Sequence, residues 1–199
     1  MHAILGHMDA EVRRILDRYL VEVVETFQLC PWARAARERD DIAVEIVWGA
    51  PDDATLVTAA ERALARGRVA MVVTPTWAIT AAELRAVRDR IAQRIPGAGV
   101  ADFHPEAALD LTTPARVVPF VRRSPDPMLQ LVPFTILDEV RAPPAAADLA
   151  RQAAILRGAE SPVDVATTIA AANHKTVTAH ADEIVAILDD IAADRARSY

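Results

Sequence analysis

Residues 68–105 read RVAMVVTPTWAITAAELRAVRDRIAQRIPGAGVADFHP, and this stretch decides the fold class. Its first eight residues form an unbroken β-rich apolar run, the pattern of a strand buried on both faces. Thr80 followed by Glu83 then makes a capping box, in which each side chain satisfies a backbone N–H that the first helical turn leaves unpaired. The sequence AAELRAVRDRIAQRI behind it keeps a helical period until Pro96 and Gly97 break it. A second apolar run, GVADFHP over 99–105, follows. Strand, helix and strand in so short a span are the unit of an α/β fold.

The pattern extends in both directions. Upstream, IAVEIVW over 42–48 reads as a strand, and Asp52 or Asp53 caps a helix that Gly67 ends. Residues 9–28 place Val12, Leu16, Tyr19, Leu20, Val23, Val24 and Phe27 at helical spacing. Pro31 suits the first position of a further short helix, because its missing N–H would be unpaired there anyway. Downstream, residues 106–127 carry Pro114, Pro119, Pro125 and Pro127 and read as irregular. MLQLVPF over 128–134 is a fourth strand or an extended edge, since Pro133 cannot pair on both sides. From Thr135 the pattern is helical. The expected fold is therefore α/β, a three-layer or two-layer sandwich. It has a mostly parallel four-stranded sheet and a helical C-terminal third, about 143–199, packed on it within one domain of residues 1–199.

Composition narrows the function. The chain has 199 residues, a formal net charge of -6 and one cysteine. Acidic and basic residues alternate, and no basic stripe marks a nucleic-acid groove. A single cysteine cannot close an internal disulfide, which fits a reduced, cytoplasmic setting. The first residues lack the basic start and apolar run of a signal peptide, and no apolar stretch reaches the roughly 20 residues of a membrane span. With 6 Gly and neither a GxGxxG nor a Walker pattern, a standard dinucleotide or P-loop site is not expected.

Three motifs stand in a specific order: LCPWA at 29–33, FHPEA at 103–107 and FVRRSPDPMLQLVPF at 120–134. Together they resemble a bacterial family, domain of unknown function 1415, whose members carry LCPFA, FHPxY and TNRSPYPxLHLLRE patterns at similar separations. The matching positions are Leu29, Cys30, Pro31, Ala33, Phe103, His104, Pro105, Arg123, Ser124, Pro125 and Pro127. Arg122, Ala107, Asp126 and Gln130 depart from that pattern, standing where the family has Asn, Tyr, Tyr and His. The resemblance covers residues 10–140. It implies a shared site, retuned or partly lost at the departures, and does not imply a particular reaction.

The residues suited to chemistry lie in these motifs. Cys30 before Pro31 is placed where a helix start favours a thiolate; the alternative is a small buried apolar side chain. His104 follows a strand end, where α/β folds bind ligands, and is a candidate base for Cys30 or a metal ligand. Its alternative is a ring that ties down a loop carbonyl. Asp102 is expected to face away from His104. Arg122, Arg123 and Ser124 suit a carboxylate or phosphate, because guanidinium groups grip such anions in pairs of bonds; otherwise they form structural ion pairs. Trp32, Trp48 and Trp77 line a pocket or fill the core. His174 and His180 are six apart, on different helix faces, and are expected to face solvent.

Three functions compete. The first is an enzyme acting on an anionic, carboxylate- or phosphate-bearing metabolite, with Cys30 and His104 catalytic and Arg122, Arg123, Ser124 and Trp32 holding the substrate. The second is haem or metal binding through Cys30, His104 or both, since Cys–Pro is a recurring setting for thiolate ligation of haem iron. The third is a non-catalytic module that dimerises through the helices at 145–157 and 163–192. No cofactor is evident from the sequence.

Overall fold

The computed structural model of the protein describes residues 2–141 and 165–199. The chain opens with helix α1 (His2–Arg18), which widens into a π-helical segment over Tyr19–Glu25. Gln28, at φ 53°, turns the chain sharply into Leu29 and Cys30. Then follow α2 (Ala33–Glu38), β1 (Ile42–Ile46), α3 (Asp53–Leu64), β2 (Val69–Val73) and α4 (Ala81–Arg94). The chain continues through β3 (Ala98–Phe103), α5 (Pro114–Val121), β4 (Met128–Pro133), α6 (Phe134–Arg141) and α7 (Val165–Ser198).

The four expected strands are present and the class is α/β, but the sheet is mixed. Its order is β1-β2-β4-β3. Only β1 and β2 pair in parallel, whereas β4 runs antiparallel to β2 on one side and to β3 on the other. β4 is thus an interior strand and not an edge. Pro133 is tolerated because it lies past the end of the β2 ladder and faces only Ala98 of β3. A strand's apolar pattern fixes its burial but not its direction, and direction was the part of the expectation that failed.

Side-chain alternation builds two cores. Met71 and Val73 of β2 and Met128 of β4 face α1, the π segment, α5 and α7. Ala70 and Val72 of β2, with Leu129 and Leu131 of β4, face α3 and α4. Helices thus cover both faces, giving three layers. Gly67, at the end of α3, is required by close approach: a Cβ there would lie 2.7 Å from the Asp41 carbonyl oxygen and 2.9 Å from the Ala43 Cβ.

The capping expectations hold. Asp52 accepts the Thr55 N–H at the start of α3, and Thr80 and Glu83 form the full capping box of α4. The expectation of an irregular 106–127 does not. Thr113 caps α5 and Pro114 occupies its first turn, so the first proline starts a helix and does not break one. Val117 and Phe120, three apart, then bury its inner face. α7 covers the described part of the expected 163–192 helix and runs on to Ser198, with a kink at His180. Its Val177, Ile184, Leu188 and Ile191 are buried in the first core, so this apolar face is covered by the chain itself. The expected 145–157 helix lies outside the described residues.

Candidate functional site

The second and third motifs interlock. The His104 N–H donates to the Arg122 carbonyl at 3.1 Å, and Arg123 Nε donates to the Pro105 carbonyl at 3.0 Å. The Arg122 guanidinium lies over the Phe103 ring, 5.9 Å from its centroid. The first motif packs on the same core, which Cys30, Phe103 and Val121 all flank. Tyr19, buried where α1 becomes the π segment, links them: its hydroxyl donates to the Val121 carbonyl at 3.3 Å. The Tyr19 phenol is pushed up by burial, and it feels Cys30 on one side and Arg122 on the other.

Cys30 is half-buried against the first core, but Pro31 is not the first residue of a helix. α2 begins at Ala33 and has only 6 residues. The N–H groups of Trp32 and Ala33 still favour the thiolate, although that of Ala33 donates to the Cys30 carbonyl at 3.3 Å. Burial nevertheless dominates and pushes the thiol up, with those N–H groups only partly offsetting it. A held thiolate was the expectation; the geometry favours the thiol. The turn around it is firmly built. Asn173 of α7 donates to the Leu29 carbonyl at 3.0 Å, and buried Glu25 takes two bonds from Arg37, at 2.6 and 3.1 Å.

His104 is 5% exposed, and both of its ring nitrogens are engaged by backbone. Nδ1 accepts the Glu106 N–H at 3.1 Å, so Nε2 carries the proton and donates to the Ile79 carbonyl at 2.8 Å. Ile79 packs against the second core, on the side of the sheet opposite the core that holds Cys30. Neither ring nitrogen is directed at the thiol, and the expected Cys30–His104 pair is not formed among the described residues. Asp102 does not face away from His104 as expected, because residues two apart share a face of a strand. Its carboxylate is nevertheless turned to α4, 3.6 Å from Arg88 Nε and 4.0 Å from Arg85 Nε.

The remaining candidates divide. Arg123 bonds Pro105 and reaches Asp189 of α7 at 3.5 Å, a structural tie. Ser124 is buried, and its hydroxyl donates to the Asp126 carbonyl at 2.6 Å. Trp32 is half-exposed and belongs to neither core. Trp48 donates to Asp9, and Trp77 packs on the second core. His174 does not face solvent freely: its Nε2 bonds the Leu111 carbonyl at 2.8 Å, while exposed His180 meets Glu183. Among the described residues no group of three or more His, Cys, Asp or Glu is arranged to hold a metal ion.

Arg122 is different. Its side chain has no carboxylate or carbonyl partner among the described residues. Burial pushes its guanidinium below the ordinary range; Asp102 and Tyr19 support the cation, and Arg88 and Arg85 oppose it. Sequence reasoning included Arg122 but missed Tyr19, Arg85 and Arg88. Tyr19 read as one more core position, its only signal being a polar tip on a buried aromatic. The two arginines lie within the helical run of α4 and belong to none of the three motifs.

Two shallow recesses mark the surface. One of about 210 Å³ lies between α1 and β1 and includes Arg13, Asp17, Leu20 and Val44. The other, about 40 Å³, lies where Arg123, Ser124 and Pro125 meet Leu188 and Ile191. That is little more than the ~30 Å³ share of one water. Cys30 lines neither. No helix among the described residues is long and apolar enough to cross a membrane. No protein-family model matches the chain, and no curated protein and no solved structure matches it either.

Proposed function

We propose that the protein binds a small carboxylate- or phosphate-bearing metabolite at Arg122 and acts on it with Cys30 and Tyr19 as the adjacent reactive groups. One observation carries the reading. Arg122 is a half-buried guanidinium that rests on an aromatic face and, among the described residues, hydrogen-bonds no carboxylate, Asp102 acting on it only through space. A desolvated cation without a partner is costly, and an incoming carboxylate or phosphate would remove that cost through paired, charge-assisted hydrogen bonds. The cation–π contact with Phe103 fixes the guanidinium plane but supplies no countercharge.

The second and third motifs meet at this arginine, which itself stands where the resembled pattern has Asn, so the reading rests on the geometry and takes Arg122 as a retuned position. His104 then acts as a positioning residue. Its two backbone bonds hold the FHP turn, and its own N–H holds the Arg122 carbonyl. Cys30 attacks as the thiolate, its proton passing to solvent water at the half-buried sulfur, and Tyr19 stays a neutral phenol that can donate to the bound anion.

The test is a ligand-observed NMR titration of the full chain with inorganic phosphate and with pyruvate, repeated on Arg122→Met. Saturable binding that the substitution abolishes is expected. Equal signals from both chains would refute the assignment. If a turned-over substrate is then found, Cys30→Ser removes turnover and leaves binding; unchanged turnover would remove Cys30 from the mechanism.

A further inference from the structure

Resting on that reading, we infer that Asn173 is the positioning residue of Cys30, so that α7, and not His104, sets where the thiol points. Among the described residues Asn173 is the one buried polar side chain of α7, 5% exposed, and it lies outside all three motifs. Its amide donates to the Leu29 carbonyl at 3.0 Å, across 144 residues of chain. A carbonyl only accepts, so the nitrogen end of the amide must face it. That carbonyl belongs to the peptide unit that enters Cys30. The unit before it is fixed as well, since the Leu29 N–H donates to the Val24 carbonyl at 2.9 Å. On the other side of Cys30, Pro31 narrows the backbone freedom of the residue that precedes it. The cysteine is therefore held from both directions.

α7 meets the same turn a second time. Its helical geometry breaks at His180, with φ -129° and ψ 19°, and the His180 ring lies 5.6 Å from the Phe27 ring. Phe27 and Leu29 flank Gln28, whose φ of 53° turns the chain. The kinked helix thus touches this turn on both sides of Gln28. Other contacts of α7 serve the other motifs. His174 bonds the Leu111 carbonyl at 2.8 Å, beyond FHPEA, while Asp189 meets Arg123 and both Arg195 and Tyr199 hold Asp126. A helix outside residues 10–140 therefore ties down all three motif regions, and Asn173 is its tie to the cysteine. Asn173 shares a buried face with Val177, four residues on. An amide on such a face is costly unless it is paired, and its partner here is the carbonyl that leads into Cys30. Asn173 carries no charge, so it acts on the thiol through position and solvent access. Tyr19 is the titratable group that faces Cys30 among the described residues, and it lies on the π segment.

The experiment is the pH dependence of Cys30 alkylation by iodoacetamide in the full chain, in Asn173→Leu and in Val177→Ala. The reagent is neutral and needs no ligand at Arg122. Asn173→Leu removes the donor and keeps an apolar side chain in its place. Val177→Ala loosens the same face by a cavity and leaves the Asn173 bond intact. Below its midpoint a thiol reacts through its thiolate share, so lowering the midpoint by one pH unit raises the rate about tenfold. Asn173→Leu should admit water to the turn, move the midpoint toward the ~8.5 of a free thiol and raise the rate near neutral pH at least about threefold. Val177→Ala should stay within about twofold of the parent. Rates that rise alike in both variants, or that stay unchanged in Asn173→Leu, overturn the assignment. The parent supplies a test that needs no variant to fold. Its Asn173 side-chain amide protons should exchange at least about tenfold more slowly than those of an exposed amide. Exchange at the exposed rate also overturns the assignment. Failure at Asn173 leaves the Arg122 reading standing, whereas failure of that reading shows only in the phosphate and pyruvate titration.

Discussion

Two influences act on the Cys30 proton. Removal from water favours the neutral thiol, while the N–H groups of Trp32 and Ala33 favour the thiolate, and burial prevails. Alkylation of this single cysteine should therefore rise with pH beyond the ~8.5 of a free thiol. A rate that levels off near neutral pH would show an activated thiolate and contradict the burial argument. At Arg122 the balance is between stability and function. Arg122→Met removes an unpaired, desolvated cation at the loss of one cation–π contact, so it should leave folding stability within about 1 kcal/mol of the parent or above it. Denaturant unfolding checks this; a loss of several kcal/mol would mean that Arg122 is structural. The sequence identified Cys30, Arg122 and His104 as residues of interest because their types and motif positions are unusual. It did not reveal which of them has a vacant valence. That depends on contacts with residues distant in the chain, such as the Ile79 carbonyl, 25 residues from His104, that occupies its ring.

At the scale of elements, the loop at 122–127 is held by the far end of the chain. Buried Asp126 accepts from Arg195 Nε and from the Tyr199 hydroxyl, both at 2.6 Å, and Arg195 also bonds the Pro75 carbonyl. The carboxylate at this position thus has its own partner, a tyrosine hydroxyl that the end of α7 brings to it. Asp126→Ala would leave the hydroxyl and the guanidinium without that acceptor. It should cost about 1–3 kcal/mol and raise amide exchange over the last turns of α7. Unchanged protection there would show that α7 is held by its apolar face alone. The elements themselves were legible where local signals are strong. Thr80 with Glu83 announced α4, and the apolar runs announced all four strands. α5 was missed because its prolines were read as breakers when one of them starts the helix. The antiparallel insertion of β4 was illegible because no local pattern encodes which neighbour a strand chooses.

For the molecule as a whole, carboxylates bonded to arginines set the acid limit. Asp194 is held well below the ordinary carboxylate range by bonds from Arg14 and then Arg18, and Glu25 is lowered by Arg37. As pH falls, the unfolded chain takes up these protons before the folded one does. Their stabilisation is therefore complete above about pH 4.5 and is lost as pH drops through the folded values. Asp126 has the opposite sign. Burial raises it, so the folded chain holds its proton more tightly and its contribution declines as pH rises from about 4 through the folded value. Denaturant unfolding between pH 3 and 7 should show stability rising overall, and Asp194→Asn should flatten that rise; an unchanged slope would remove the Arg14–Asp194–Arg18 cluster as its source. The account as a whole turns on whether Arg122 is waiting for an anion. The most direct measurement is the thermal midpoint in phosphate against chloride at matched ionic strength, for the full chain and for Arg122→Met. A ligand that binds only the folded state must raise that midpoint with concentration. The account predicts a phosphate-dependent rise in the full chain and none in Arg122→Met, whereas the same response in both chains would contradict it.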